Sequence, residues 1–177
     1  MNQRAGSWPL QTDKPALLPW LALALVVCVL DQLTKLAASA QLVYGIPHAV
    51  MPGFNLTLLH NTGAAFSMLH DAGGWQRWFF SCIALVVTVG LCWWLARMDR
   101  SDRLEVAALV LILGGAVGNL VDRMRLGYVV DFISVHYQRD WFFPAFNIAD
   151  SAISVGAFFL ILDMIFGSHP DEEKAAD

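Results

Sequence analysis

The sequence has little charge for its length. Only 15% of its 177 residues are Asp, Glu, Lys or Arg, whereas 57% are hydrophobic, and the mean hydropathy is +0.54. Soluble domains carry a much larger share of charged residues, so this balance indicates a membrane protein. The net charge of −4 provides no basic surface of the kind that binds nucleic acid.

Motifs for metal sites and disulfide frameworks are missing as well. The three cysteines lie inside apolar runs and form no CxxC pair, and no HExxH motif occurs. Lys35 is the only lysine near the membrane, and Asp31 lies one helical turn before it, which disfavours a Ser-Lys hydrolase. We therefore expect no metal and no other cofactor. The histidines are scattered through predicted loops and the tail: His48, His60, His70, His136 and His169.

What the sequence does contain is four apolar runs, each close to the ~20 residues that a membrane-spanning helix needs. The pattern predicts one α-helical membrane domain over residues 16–166, preceded by a mobile leader (1–15) and followed by a polar cytoplasmic tail (167–177). Between the first two runs, Gly and Pro surround the alternating segment 54–58, which predicts a small extramembrane β element. The predicted spans are about 16–38, 76–97, 105–123 and 148–166.

Four spans place both termini on one side of the membrane. The short connection between the second and third spans carries Arg97, Arg100 and Arg103. Positively charged residues concentrate in short cytoplasmic loops, so we expect cytoplasmic termini.

This topology places several polar residues at the outer ends of the spans. Some form helical pairs on a single face, Asp31 with Lys35 and Asn119 with Arg123 at i,i+4. Asp163 lies 13 residues beyond Asp150, roughly 20 Å along a helix, and is excluded from the group. The predicted outer group contains Asp31, Lys35, Asn61, Asn119, Arg123, Asn147 and Asp150, with Asp131 in the last outer connection.

Two carboxylates beside apolar runs can perform acid-base chemistry without a cofactor. When they are close together they do not both ionise easily, so one activates water while the other polarises a carbonyl group. Taken singly, each has an ordinary explanation: Asp131 as a loop acid or helix cap, and Asp150 as a first-turn acid that favours the helix dipole.

The remaining charged residues also have structural explanations. Asp31 and Lys35 read as a pair that neutralises both charges inside the helix bundle. Arg123 reads as a lipid-phosphate contact, an ion-pair partner of Asp122 or a side chain that reaches to the membrane interface.

The motifs around these residues resemble the bacterial lipoprotein signal peptidases, the type II signal peptidase family, from about Trp20 to Phe166. Several motifs occur in the expected order. They are Asp31 with Lys35, the segments Asn61–Ser67, Gly118–Arg123, Val129–Phe132 and Phe146–Asp150.

The resemblance implies an α-helical integral membrane protein with four transmembrane helices and a small extracytoplasmic β-cradle at about 41–66. It implies an aspartic endopeptidase of the bacterial inner membrane, with its active site towards the periplasm. The implied catalytic pair is Asp131 and Asp150. The implied supporting residues are Asn61, Asn119, Arg123 and Asn147, with Asp31 and Lys35 as a structural polar pair.

The implied substrate is a prolipoprotein that carries diacylglycerol on a cysteine, and cleavage occurs just before that cysteine. Membrane lipids and cyclic peptide antibiotics such as globomycin are further implied partners, and we expect a monomer. Two other classes fit the acid cluster. A small transporter uses intramembrane acids as a relay, and a non-catalytic protein binds signal peptides without cutting them. A presenilin-like protease fits less well, because Gly127–Asp131 lacks the Gly-x-Gly-Asp spacing of that family.

Overall fold

The computed structural model describes residues 17–63, 75–98, 103–137 and 141–166. Four helices in this part of the chain are long and apolar enough to cross a membrane, as the sequence predicted. The predicted leader, the tail and the motif residues 64–67 lie outside the described residues. The helices are α1 (Leu17–Gln41), α2 (Trp75–Arg97), α3 (Arg103–Arg125) and α4 (Ile148–Phe166).

Helix α3 lies at the centre of the bundle. It is the most buried of the four helices, and α1, α2 and α4 all pack against it. The other three expose many large apolar side chains, as expected for helices that face lipid on their outer surface. Helix α3 is therefore the element through which the other three helices are held together.

Glycines on the packed faces allow the helix backbones to approach closely. A β-carbon on Gly115 of α3 would overlap the carbonyl oxygen of Ala149 in α4, and one on Gly114 would lie 2.7 Å from that of Ala24 in α1. A β-carbon on Gly156 of α4 would likewise lie 2.6 Å from the carbonyl oxygen of Ala108 in α3. Small residues at such contacts are the usual means of close helix packing in membranes.

We predict that Gly115→Ala destabilises the protein by about 1–3 kcal/mol, because the backbone atom that the new methyl group meets cannot move aside. Gly90→Ala is the matched control, since Gly90 lies in the middle of α2 with open space around it. That control should be neutral or slightly stabilising. Thermal unfolding in detergent measures both, and equal melting temperatures for the two variants would contradict the packing argument.

The extramembrane sheet draws its strands from two distant parts of the chain. Strands β1 (His48–Met51) and β2 (Phe54–Asn61) come from the segment predicted to be β structure. Strands β3 (Val129–Tyr137) and β4 (Trp141–Phe142) come from the connection between α3 and α4. All neighbours are antiparallel, in the order β1-β2-β3-β4.

Strand β3 corrects the sequence-based placement of Asp131 in a loop. Asp131 lies within this strand, paired with Leu59 of β2. The segment that follows β4 folds back onto β3, where the Ile133 N–H and the carbonyl oxygen of Phe146 are 2.9 Å apart. This return contact brings Asn147 and the start of α4 beside Asp131.

Candidate active site

Asp131 is a buried carboxylate held by two amide groups. Its side chain is 2% exposed. Asn61 donates from Nδ2 to one carboxylate oxygen at 3.0 Å, and Asn147 donates from Nδ2 to the other at 2.7 Å. Strand pairing positions Asn61, and the return of the chain after β4 positions Asn147. Three separate segments thus meet at this one acid.

Asp150 lies in the first turn of α4 and is partly buried. One of its carboxylate oxygens accepts a hydrogen bond from Nδ2 of Asn119 on α3, at 2.7 Å. Its backbone N–H donates to Oδ1 of Asn147 at 2.9 Å. Asn147 therefore serves as the N-cap of α4, because it satisfies an N–H group that has no partner within the helix.

The amide orientation of each asparagine follows from what its oxygen accepts. Oδ1 of Asn61 accepts the N–H of Gly63 at 2.8 Å, and Oδ1 of Asn147 accepts the N–H of Asp150. Oδ1 of Asn119 accepts Nζ of Lys35 at 2.9 Å. In every case the NH₂ group is left to donate to a carboxylate. The three predicted asparagines therefore form a set of fixed donors around the two acids.

The two acids influence each other electrostatically. Burial and, after it, the negative charge of Asp150 raise the pKa of Asp131 to about 6. The two amide donors and the charge of Lys35 oppose that rise. At a pH near 6, an acid with such a pKa holds a proton in about half of the molecules while a neighbouring acid is ionised. This is the state that acid-base catalysis by two carboxylates requires.

Arg123 approaches the acids from α3. Its guanidinium group lies within electrostatic range of Asp150 and Asp131, 5.9 Å from the centre of the Phe80 ring. Its Nη1 donates to the backbone carbonyl of Asn119 at 3.4 Å. The guanidinium thus provides positive charge beside the pair.

The predicted pair of Asp31 and Lys35 is joined by a third charged residue. Lys35 Nζ lies 2.8 Å from Asp31 and 2.9 Å from Asp122. Gln32 also donates to Asp122, at 2.9 Å. The suggested pairing of Asp122 with Arg123 is thereby replaced by one with Lys35. Sequence reasoning missed this role, although Asp122 follows Asn119 by three residues and so lies on the same helix face.

An apolar cavity of about 430 Å³ reaches Asp150. The segment Phe143–Phe146 forms one wall, and Ser151, Ser154 and Val155 of α4 form the other. A second cavity of about 740 Å³ lies on the sheet side of Phe143–Ala145 and includes Thr57 and Ser134. The acid at the edge of the first cavity can meet an apolar ligand that enters between these walls.

Other polar groups lie away from the acids. Asp163 is buried in the distal part of α4, 13 residues beyond Asp150. Among the described residues, no three His, Cys, Asp or Glu side chains group closely enough to hold a metal ion.

Comparison with known proteins gives one consistent result. The chain matches the family model described as Signal peptidase (SPase) II over residues 23–166. It is 56% identical over 154 residues to the lipoprotein signal peptidase of Teredinibacter turnerae, covering 86% of this chain and 90% of that protein. It is 54% identical over 164 residues to that of Pseudomonas aeruginosa, covering 92% and 96%.

A solved structure supports the same relationship. A bacterial membrane enzyme determined by the in meso method at 1.9 Å resolution superposes with a TM-score of 0.76 at 29% sequence identity. The match covers 89% of this chain and 99% of that one. The four helices and the sheet are therefore an arrangement shared with a known membrane enzyme.

Proposed function

The chain belongs to the signal peptidase II family, a family of membrane peptidases, and we propose that it removes signal peptides from prolipoproteins as an aspartic endopeptidase. The substrate carries diacylglycerol on a cysteine, and the peptide bond just before that cysteine is cut. The observation that carries this proposal is the electrostatic coupling of Asp131 with Asp150 inside a set of fixed amide donors. Both acids stand at the edge of an apolar bundle, where a lipidated peptide arrives.

In the proposed mechanism the two acids share one ionisable proton. Asp131, whose pKa is raised to about 6, holds the proton and donates a hydrogen bond to the scissile carbonyl oxygen. Asp150 is ionised and removes a proton from the attacking water. The tetrahedral intermediate then collapses, and the proton on Asp150 passes to the leaving amine.

The residues around the acids are proposed to support this proton arrangement. Asn61 and Asn147 hold Asp131 in position, and Asn119 holds Asp150. Arg123 stabilises negative charge that develops on the substrate in the transition state. Asp31 and Lys35 act as a structural polar pair.

The apolar cavity beside Asp150 suits the lipid part of such a substrate. Its walls are mostly apolar, so they favour an acyl chain or an apolar signal segment over a soluble peptide. We place the site on the periplasmic side of the inner membrane and both termini in the cytoplasm. Arg97 ends α2 and Arg103 begins α3, so both flank the connection between these helices and support that orientation. A cyclic peptide antibiotic such as globomycin is proposed to block the site, and the active unit is proposed to be a monomer.

The test is cleavage of a diacylated prolipoprotein by the purified chain in detergent or nanodiscs. Mass spectrometry should find a product that begins at the lipidated cysteine, and globomycin should suppress it. The same prolipoprotein without diacylglycerol is the control and should be cut far more slowly. Proton or ion flux through liposomes without any proteolysis would contradict the proposal and favour a transporter, whereas substrate binding without cleavage would favour a non-catalytic binder.

A further inference from the structure

Each of the two acids directly follows a residue whose backbone N–H is held by a buried carboxylate. The N–H of Ala149, next to Asp150, donates to Oδ1 of Asp31 at 2.9 Å. The N–H of Val130, next to Asp131, donates to Oδ2 of Asp122 at 3.1 Å. The backbone is thus held by a carboxylate just before each acid, in a helix before Asp150 and in a strand before Asp131.

A single lysine joins the two anchoring carboxylates. Nζ of Lys35 lies 2.8 Å from Asp31 and 2.9 Å from Asp122, and these side chains are only 3%, 0% and 4% exposed, respectively. Gln32 adds hydrogen bonds to both carboxylates, at 3.3 and 2.9 Å. The backbone beside one acid is therefore connected to the backbone beside the other through a short chain of buried contacts.

Lys35 also reaches one acid through a side chain. Its third contact is Oδ1 of Asn119, and Nδ2 of Asn119 donates to Asp150. An ammonium group has three hydrogens to donate, and these contacts use all three. Each of the three groups that Lys35 contacts therefore binds either one of the two acids or the residue that precedes one of them.

Burying two carboxylates and an ammonium group is a poor way to gain stability. Desolvation of the charges offsets most of their attraction, and well-packed apolar residues of similar size are often as stable or more so. Stability alone therefore does not account for this cluster. What the charges provide, and apolar residues do not, is directional contact with chosen backbone groups.

We propose that Lys35, Asp31 and Asp122 form a clamp that sets the separation of Asp131 and Asp150 by holding the backbone N–H before each of them. The clamp residues are positioning residues, since they act on the reacting acids through Ala149, Val130 and Asn119. The inference rests on the proposed function for its kinetic consequences. Its geometric consequence, the placement of Asp131, is independent of that function.

The sharpest test compares Asp122→Ala with Asp122→Asn. Oδ2 of Asp122 accepts from both Lys35 and Val130, so an asparagine with its oxygen at that position keeps both contacts, and alanine loses both. Misplacing a catalytic group by about 1 Å costs on the order of 100-fold in rate. We expect Asp122→Ala to lower kcat about 100-fold with little change in KM. The kcat of Asp122→Asn should be about tenfold or more above that of Asp122→Ala.

Measurements at a temperature well below unfolding separate positioning from stability. Activity is expressed per folded molecule, with thermal unfolding recorded for every variant. Asp163→Asn, another buried acid in the helix bundle, is the control and should keep the original kcat. If Asp122→Ala lowers the melting temperature but leaves kcat per folded molecule unchanged, the clamp is only structural and the proposal is wrong.

An infrared titration of the Asp131 carboxyl group tests the clamp without any substrate. Releasing Val130 should let Asp131 move towards water, which lowers its pKa from about 6 in Asp122→Ala further than in Asp122→Asn. If the Asp131 pKa shifts in this way but the protein cleaves no prolipoprotein, the clamp is retained and the proposed function is rejected. Identical Asp131 titrations in both variants, in a chain that does cleave, would reject the clamp alone.

Discussion

Replacing either Asp131 or Asp150 by asparagine should reduce cleavage of a diacylated prolipoprotein by about 10⁴-fold or more. An amide does not act as a base or transfer an acidic proton, and catalytic groups that act as a unit are each nearly indispensable. Asparagine has almost the volume of aspartate, and Oδ1 of residue 150 can still accept from Asn119. The loss should therefore appear in kcat, measured by product mass, while the folded protein is retained.

Asp163→Asn provides the matched comparison for this loss. It makes the same chemical change in the same helix as Asp150, about 20 Å away, and should leave turnover unchanged. Turnover of Asp131→Asn or Asp150→Asn within about tenfold of the original chain would exclude the two-acid mechanism, because general acid-base catalysis alone contributes ~10²-fold or more.

The same variants report on the coupling between the acids. The charge of Asp150 helps to raise the pKa of Asp131, so Asp150→Asn should lower that pKa below about 6. In the original chain, kcat/KM should fall as the pH rises through about 6, since Asp131 then loses the proton that the mechanism needs. An infrared carboxyl titration and a pH-rate profile measure the two effects. An unchanged Asp131 titration in Asp150→Asn would show that the acids are not coupled.

Asn147 should have the second largest effect, and its two roles can be separated. Asn147→Ser keeps an oxygen that can cap α4, but removes the NH₂ group that donates to Asp131. Without this donor Asp131 is free to shift, and misplacing a catalytic group by about 1 Å costs on the order of 100-fold in rate. We expect a loss of this size with only a small change in melting temperature.

Asn147→Ala completes the comparison because it removes the cap as well. It should lose activity to at least the same extent and should also destabilise the protein by about 0.5–2 kcal/mol. Kinetic assays and thermal unfolding of the two variants decide the matter. If serine restores activity along with stability, Asn147 contributes only as a cap and does not position Asp131.

The sequence predicted the helices well and the sheet only in part. Long apolar runs define spans without any knowledge of their partners, which is why the four helices were predictable. Strand β3 was missed, although its run of β-branched and aromatic residues favours a strand. Asp131 was placed in a loop because it lies in the connection between two spans. Its partner strand β2 lies some 70 residues earlier, and local sequence patterns do not indicate such distant pairing.

The side-chain contacts of the site were predictable only where helix periodicity governs them. The pair of Asp31 with Lys35 follows from the i,i+4 spacing and is present. An ion pair with Asp122 was one of three explanations considered for Arg123, but adjacent helical residues point about 100° apart. Only the packing of α1 against α3 determines that Asp122 meets Lys35. The orientation of each asparagine amide group likewise depends on contacts between segments that are distant in sequence.

The pairing of β2 with β3 has a consequence for biogenesis. Strand β2 precedes α2 and strand β3 follows α3, so the sheet closes only after the second helical hairpin is synthesised and inserted. The N-terminal part of a chain is synthesised first. Asp31 and Lys35 of α1 therefore have no contacts with α3 and α4 until those helices are synthesised. A nascent chain arrested before α4 therefore carries Asp131 but lacks Asp150, so its acid pair is incomplete.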